Sequence, residues 1–318
     1  MKREAILICL TLLLAAAVPA QELPPSKKSR ASTRRTPDVK PSSGFVTTKD
    51  NVRIHHLEVS RDREDSSAPA LLFIPGWTMP AEIWDPQIRH FGKTHRVVAM
   101  DPRGQGRSAK PREGYYPAAR ARDIKDVVDK LKLAPVVLIG WSMGVAEIAA
   151  YVEQFGTAGV AGIVLVDGFA GADGDPKFTA GMVNLAAMHL KDREAAAGTF
   201  VKSMYKNPEV LQDEKYLARI KAASLKTPTD AAVALFVGIV TTDNRKALEK
   251  IDKPTLIVTA PNPTLEPLAE DMQKRIAGSK REVFAGAGHA LFVDQPERFN
   301  SVLEQFLQAL APTREKLR

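Results

Sequence analysis

The chain has 318 residues, with 45 Lys and Arg against 37 Asp and Glu, a formal net charge of +8, and a single cysteine. That length suits one domain, with room for an inserted subdomain. One thiol excludes a disulfide framework, and nothing in the basic residues resembles a nucleic-acid module.

Lys2 and Arg3 precede an apolar run from Ala5 to Val18, and Val18-Pro19-Ala20 offers small residues where a signal peptidase reads. This predicts a secretory signal over 1–20, cleaved after Ala20, and a periplasmic or secreted product. The run is short for a membrane span, and an uncleaved anchor is the competing reading. No Arg-Arg pair precedes it, which favours the general secretion route. Cys9 lies inside this segment. The mature chain is therefore expected to carry no thiolate nucleophile and no cysteine-ligated metal.

Residues 21–43 are rich in Pro, Ser, Lys and Arg, with six basic residues against Glu22 and Asp38. Such a segment has almost nothing to bury and reads as a disordered linker. It carries much of the excess positive charge. It is either a solvated spacer or a weak contact to an anionic surface.

The folded part is expected over 44–311, followed by a short tail over 312–318. Phe45–Thr48 and Val52–Val59 read as strands joined by a turn, and Ala70–Ile74 as a buried strand ending at Pro75-Gly76-Trp77. A helix around 81–91 and the strand Arg96–Met100 follow, then the turn-rich loop Asp101–Ser108. Asp101, Arg103 and Arg107 are expected to form a structural charge network there. Ala118–Leu131 is amphipathic, and Pro135–Ile139 and Gly162–Val166 are apolar, β-branched strands. From about 169 to 248 no convincing strand occurs; Ala-rich helical segments replace it, which predicts a helical cap. Strands resume at Pro254–Thr259 and Arg281–Phe284, with a helix over 265–276 between them and a last helix from Pro296 to Leu310. Short apolar strands alternating with helices predict an α/β fold with a mostly parallel sheet covered on both faces.

Gly140-Trp141-Ser142-Met143-Gly144 joins one such strand to a helix. A serine on that sharp turn is held out from the backbone, and the helix N-terminus faces any negative charge that develops beside it. Ser142 is the candidate nucleophile. A serine hydroxyl needs a base, and the base needs a third group to fix its tautomer. His55 and His56 lie on an early strand, where they are not expected to face inward together. His90 and His95 flank a helix-to-strand connection, and His189 falls in the cap. His289, in the Gly-rich loop Ala285–His289 after a late strand, is the candidate base, at the sheet edge where open α/β folds place their ligands.

The motifs Ile74-Pro75-Gly76-Trp77, Asp101–Ser108, Gly140–Gly144 and Gly286-Ala287-Gly288-His289-Ala290 together resemble those of the α/β-hydrolase superfamily, over about 44–310. The likeness is greatest to its esterase, haloperoxidase-like and perhydrolase-like members. It implies the α/β-hydrolase fold, an eight-stranded sheet with a helical cap insertion, Ser142 as nucleophile and His289 as base. It also implies an oxyanion hole made by the backbone N–H groups of Trp77 and Met143. Many members have His-Gly where this chain has Pro75-Gly76; the donor is the next backbone N–H, so the hole is expected to survive. An aspartate nucleophile, as in dehalogenases and epoxide hydrolases of this fold, is argued against by Ser142.

The acid is left open by the sequence. Members usually place an Asp soon after the strand that is here Thr255–Thr259, but this chain reads Ala260-Pro261-Asn262-Pro263-Thr264-Leu265-Glu266. Asp167, at the end of the preceding strand, is one candidate, since the resemblance implies that some members carry their acid there. Glu266 is the alternative, although an acidic residue in a helix's first turn also has a purely structural reading. No metal-ligand spacing and no cofactor motif is present. The expected function is an exported serine hydrolase acting on a small-molecule acyl substrate. The rivals are perhydrolase or haloperoxidase-like chemistry with the same residues, and a ligand-binding protein on a hydrolase scaffold.

Overall fold

Continuous apolar runs such as Ala70-Leu71-Leu72-Phe73-Ile74 become strands buried along their whole length. The computed structural model describes residues 39–60, 68–172 and 174–310. The expected signal segment, most of the linker and the 312–318 tail lie outside the described residues.

Eight strands form one sheet: β1 (Ser42–Thr47), β2 (Arg53–Val59), β3 (Ala70–Ile74), β4 (Val97–Met100), β5 (Val136–Trp141), β6 (Val160–Val166), β7 (Thr255–Thr259) and β8 (Lys280–Val283). Their spatial order is β1-β2-β4-β3-β5-β6-β7-β8. β2 pairs antiparallel with β1 and β4, and every other pairing is parallel. This is the mostly parallel eight-stranded sheet that the resemblance implied. β1 opens at Ser42, inside the stretch expected as linker.

Side chains alternate across the pleat, so each strand feeds two cores. Leu71, Phe73, Ile139 and Val164 pack on one face with Trp84, Ile88, Phe292 and Phe299. Leu72, Ile74, Leu138 and Ile163 pack on the other with Ile124, Val127, Ile148 and Met272. Each fully buried side chain of this kind contributes about 1.5–3 kcal/mol. The same double cover corrects the expectation for His55 and His56. Adjacent strand residues do point to opposite faces, but both faces are covered, so His55 is 0 % exposed and His56 5 %.

The helix expected around 81–91 is a short 3-10 segment, Ala81–Trp84, followed by α1 (Asp85–Phe91). Pro86, which lacks an N–H, sits where the α-helix starts anew. α2 (Pro117–Lys130) and α3 (Met143–Phe155) cover one face of the sheet and pack against each other.

Between β6 and β7 the cap is helical among its described residues: α4 (Pro176–Lys191), α5 (Arg193–Ser203), α6 (Pro208–Gln212), α7 (Glu214–Leu225), α8 (Thr229–Thr241) and α9 (Arg245–Leu248). Side-chain oxygens of Asp175, Asp192, Asn207 and Asp213 cap α4 to α7 by accepting backbone N–H groups of the first turn. Each such cap is worth about 1 kcal/mol. The cap lays Phe178, Ala186, Ala232, Leu235 and Phe236 on Trp77, Met143 and Phe169 at the carboxyl ends of β3, β5 and β6. After β7 come α10 (Glu266–Arg275), then β8, α11 (Leu291–Asp294) and α12 (Pro296–Leu310).

The Asp101–Ser108 loop is a charge and turn network, with partners the sequence did not name. Asp101 accepts from the backbone N–H of Ala81 (2.6 Å) and Arg107 (2.7 Å) and binds His55 Nδ1 at 2.7 Å. Arg103 donates to both oxygens of Asp123, at 2.6 and 2.7 Å, and to Asp50 at 2.7 Å. Arg103 and Asp123 are shut away from water, so removing one leaves the other as an uncompensated buried charge. Arg103→Met is expected to cost about 3–5 kcal/mol in urea unfolding. A loss below ~1 kcal/mol would show that the pair is solvated.

Candidate active site

The turn that carries Ser142 depends on close approach of three backbones. A Cβ on Gly140 would come within 2.6 Å of the Gly144 carbonyl oxygen, and one on Gly144 within 2.9 Å of the Ile74 carbonyl oxygen. With glycine at both positions, α3 starts directly behind β5 and beside β3. Ser142 takes φ 56° and ψ −117° to make the turn. A non-glycine residue in such a region costs on the order of 1–3 kcal/mol, held here by its surroundings. Its N–H is fixed by Val166 O at 2.8 Å. The hydroxyl does not cap α3. Instead it lies 2.9 Å from His289 Nε2.

His289 follows β8 in a loop pinned at several points. Gly288 N donates to Asp294 Oδ2 at 2.7 Å, Ala290 N to Met204 O at 2.9 Å, and the Trp141 indole N–H to His289 O at 2.9 Å. Asp294 also accepts from Lys206 N (2.8 Å) and Asn207 N (3.2 Å), which joins the histidine loop to the cap.

Asp167 leaves β6 with φ 43°. Its Oδ2 is 2.6 Å from His289 Nδ1, and its Oδ1 accepts from Ala260 N at 2.9 Å. Its side chain is 2 % exposed and that of His289 19 %. A carboxylate on Nδ1 keeps the proton there, so Nε2 is the acceptor that faces Ser142. Glu266 is elsewhere engaged: it opens α10 and pairs with Arg281 Nη2 at 2.5 Å. The segment after β7 thus contributes a backbone N–H to Asp167, where the sequence had raised the question of an acid.

The loop after β3 closes the other side. A Cβ on Gly76 would lie 2.9 Å from Ser142 Cβ, so the Gly76–Trp77 backbone runs directly against the serine. The Gln105 side chain holds this loop: Nε2 donates to Gly76 O (3.0 Å) and Met79 O (2.8 Å), and Oε1 accepts from Thr78 N (3.0 Å). Met143 is the first residue of α3, and the N–H at that position has no acceptor within its own helix. Trp77 and Met143 therefore flank Ser142 on two sides.

Among the described residues, no group of three or more His, Cys, Asp or Glu side chains could hold a metal ion. What the arrangement can do is acyl transfer: a hydroxyl aligned on an imidazole, an imidazole aligned on a carboxylate, and backbone N–H groups beside the hydroxyl.

A family model described as the alpha/beta hydrolase family matches residues 71–302. The chain belongs to the alpha/beta hydrolase family. A protein of Synechocystis sp. provisionally named a non-heme chloroperoxidase is 30 % identical over 75 % of this chain and 91 % of its own length. A bifunctional esterase/perhydrolase of Acinetobacter calcoaceticus is 28 % identical over 84 % of this chain and all of its own. Among solved structures, an esterase from Exiguobacterium antarcticum superposes with a TM-score of 0.75 and 25 % identity, over 83 % of this chain and 98 % of that one. These relatives support hydrolase activity for the present chain.

In this hydrolase several supporting residues were not singled out from the sequence. Gln105 sat inside a loop read for its turns, its charges and its family likeness but given no role at the site, and Asp294 sat five residues beyond His289 in a stretch assigned no element. Arg120 and Glu147 form a buried pair (2.8 Å) beneath Met143, with Arg120 Nη1 3.3 Å from Met143 Sδ. Burial pushes the Glu147 carboxyl up to about 7, against the pull of Arg120. Their spacing on α2 and α3 marks two inward-facing charged positions, which is the signal that could have found them.

The cap clasps Trp77. Its indole N–H donates to Ala232 O at 2.8 Å, and its ring meets His189 edge-on at 4.7 Å. Arg193 Nη1 donates to His189 Nδ1 at 2.8 Å, so the buried imidazole is neutral with its proton on Nε2. Burial and the neighbouring Arg193 cation lower its pKa from 6.5 to about 4. Between those values the unfolded chain takes up the proton first, so stability is lost as pH falls through the window. His189→Gln is expected to flatten this acid loss by up to about 3 kcal/mol, measured by urea unfolding at pH 6.5 and 4. Parallel profiles for the two proteins would contradict it.

Proposed function

We propose that the chain is an exported serine hydrolase that cleaves small or medium carboxylic-ester-like substrates through an acyl-enzyme. The observation that carries the reading is the aligned pair of contacts, Ser142 Oγ to His289 Nε2 at 2.9 Å and His289 Nδ1 to Asp167 Oδ2 at 2.6 Å. The esterase relatives support the substrate class, and the apolar run before Ala20 supports export.

In the mechanism, Ser142 Oγ attacks the ester carbonyl carbon while His289 Nε2 takes the hydroxyl proton. The tetrahedral oxyanion forms against the N–H groups of Met143 and Trp77. Collapse breaks the bond to the alcohol, which leaves with the proton from His289. Water then attacks the acyl-enzyme with His289 again as base, and the acid and free Ser142 are released. Asp167 holds the tautomer and balances the imidazolium. Phe178 and Phe236 of the cap pack with Phe169 around Trp77 and Met143, an apolar surround beside Ser142 that favours apolar acyl groups.

A second reading is favoured by the Acinetobacter relative, named an esterase/perhydrolase. Hydrogen peroxide would then replace water in the second half-reaction and leave as a peracid. The same residues serve both, so one assay covers them.

With p-nitrophenyl esters, Ser142→Ala is expected to lower kcat/KM by at least about 10⁴, and Asp167→Asn by roughly 10³–10⁴. Glu266→Gln is expected to leave it unchanged. Peracid accumulation on adding hydrogen peroxide to the wild type would assign the second reading. If Glu266→Gln slows turnover and Asp167→Asn does not, the acid is misassigned. A wild type that turns over no ester would leave only a binding role.

A further inference from the structure

A second serine–histidine–aspartate line lies at the outer edge of the sheet. Ser43, on the edge strand β1, is exposed, and its Oγ is 2.9 Å from His55 Nε2. His55 Nδ1 is 2.7 Å from Asp101 Oδ2, with side chains 1 % and 3 % exposed. The carboxylate fixes the proton on Nδ1, so Nε2 accepts and the Ser43 hydroxyl donates to it. This is the same order of protons as at Ser142. Arg107 Nη1 also donates to Ser43 Oγ, at 3.0 Å. A cation on the oxygen and a base on its proton both favour the nucleophilic form.

The surroundings hold the imidazole in place. Phe45 meets the His55 ring edge-on at 5.3 Å, with the Arg53 guanidinium over the other ring at 4.2 Å. His55 N is held by Ser108 Oγ at 2.8 Å. The charged groups facing the pair are thus Asp101 from the end of β4 and Arg107 from the following loop, with Arg53 beyond Phe45. Ser42, the neighbouring residue, is equally exposed, but its hydroxyl donates to Glu58 O at 3.0 Å and has no base.

We propose that Ser43 is a second reactive serine, acylated by activated carboxylic esters with His55 as general base and Asp101 as its positioning residue. A bond forms between Ser43 Oγ and the carbonyl carbon. The hydroxyl proton passes to His55 Nε2, the bond to the leaving group breaks, and the proton is then released to that group or to water. Ser43 sits on extended strand, away from any helix N-terminus, so among the described residues Arg107 is the one donor on hand for the oxyanion, where the Ser142 mechanism uses two backbone N–H groups. A missing oxyanion donor costs about 10²–10³ in rate. Acylation is therefore slow, and the adduct persists because water attack meets the same deficit. The site is a modification site, independent of Ser142.

The test uses the full chain carrying Ser142→Ala, treated with p-nitrophenyl acetate and mapped by peptide mass spectrometry. Acetyl is expected on Ser43 in preference to Ser42 by at least about tenfold, a conservative share of the ~10²–10⁴ that general-base assistance supplies. His55→Gln, with its fold checked by thermal melting, should bring Ser43 down to the level of Ser42. Equal labelling of the two serines, no acetyl on Ser43, or unchanged Ser43 labelling in a folded His55→Gln chain would each overturn the proposal. Failure of the Ser142 reading shows separately, as an unlabelled Ser142 peptide and absent turnover in the wild type.

Discussion

The whole site hangs on how closely α3 can approach β5 and β3. Gly140 and Gly144 allow contacts that any Cβ would block, and the turn between them forces Ser142 to φ 56°. The strain at Ser142 is recovered by what surrounds it: Val166 O holds its N–H, Gly168 packs against its carbonyl, and Gly76 lies against its Cβ. A looser turn would let the hydroxyl cap the helix, as serines at helix starts commonly do. The tight one leaves it for His289.

The second constraint is that cap and sheet share their anchors. Asp294 binds both the His289 loop and the start of α6, while Trp77 and Thr78 reach the cap through Ala232 O and Ser224 Oγ. A cap that shifted would disturb the His289 loop through Asp294 and the Gly76–Trp77 loop through the indole. The cap therefore acts on position as well as on access. Its aromatic residues cover the site in the same step in which its backbone fixes it.

Much of the framework was legible in the sequence because its signals are local. Apolar β-branched runs, the Gly-x-Ser-x-Gly turn and the glycines before His289 each depend on neighbours within a few residues. The strand ends fell within one to three residues of expectation. The sequence puts Asp167 ahead of Glu266 without deciding between them, because chain distance does not say which carboxylate meets the histidine; the contact of Asp167 Oδ2 with His289 Nδ1 and the pairing of Glu266 with Arg281 do. Arg103 with Asp123, Arg120 with Glu147 and Ser43 with His55 were hidden for the same reason. They meet across elements, and only register and packing bring them together. The assignment of His55 and His56 went wrong on a further point, since two covered faces let both be buried.

The central claim is that Asp167 acts through His289 as part of one unit with Ser142. The direct measurement is kcat/KM for ester hydrolysis in a cycle of Asp167→Asn, His289→Ala and the double variant, all in a Ser43→Ala background. Residues that work as a unit are strongly non-additive. The account predicts that Asp167→Asn costs several powers of ten alone and nothing further once His289 is gone. If Asp167→Asn slows the His289→Ala enzyme by the same factor as the intact one, the carboxylate does not act through the imidazole, and the account is wrong.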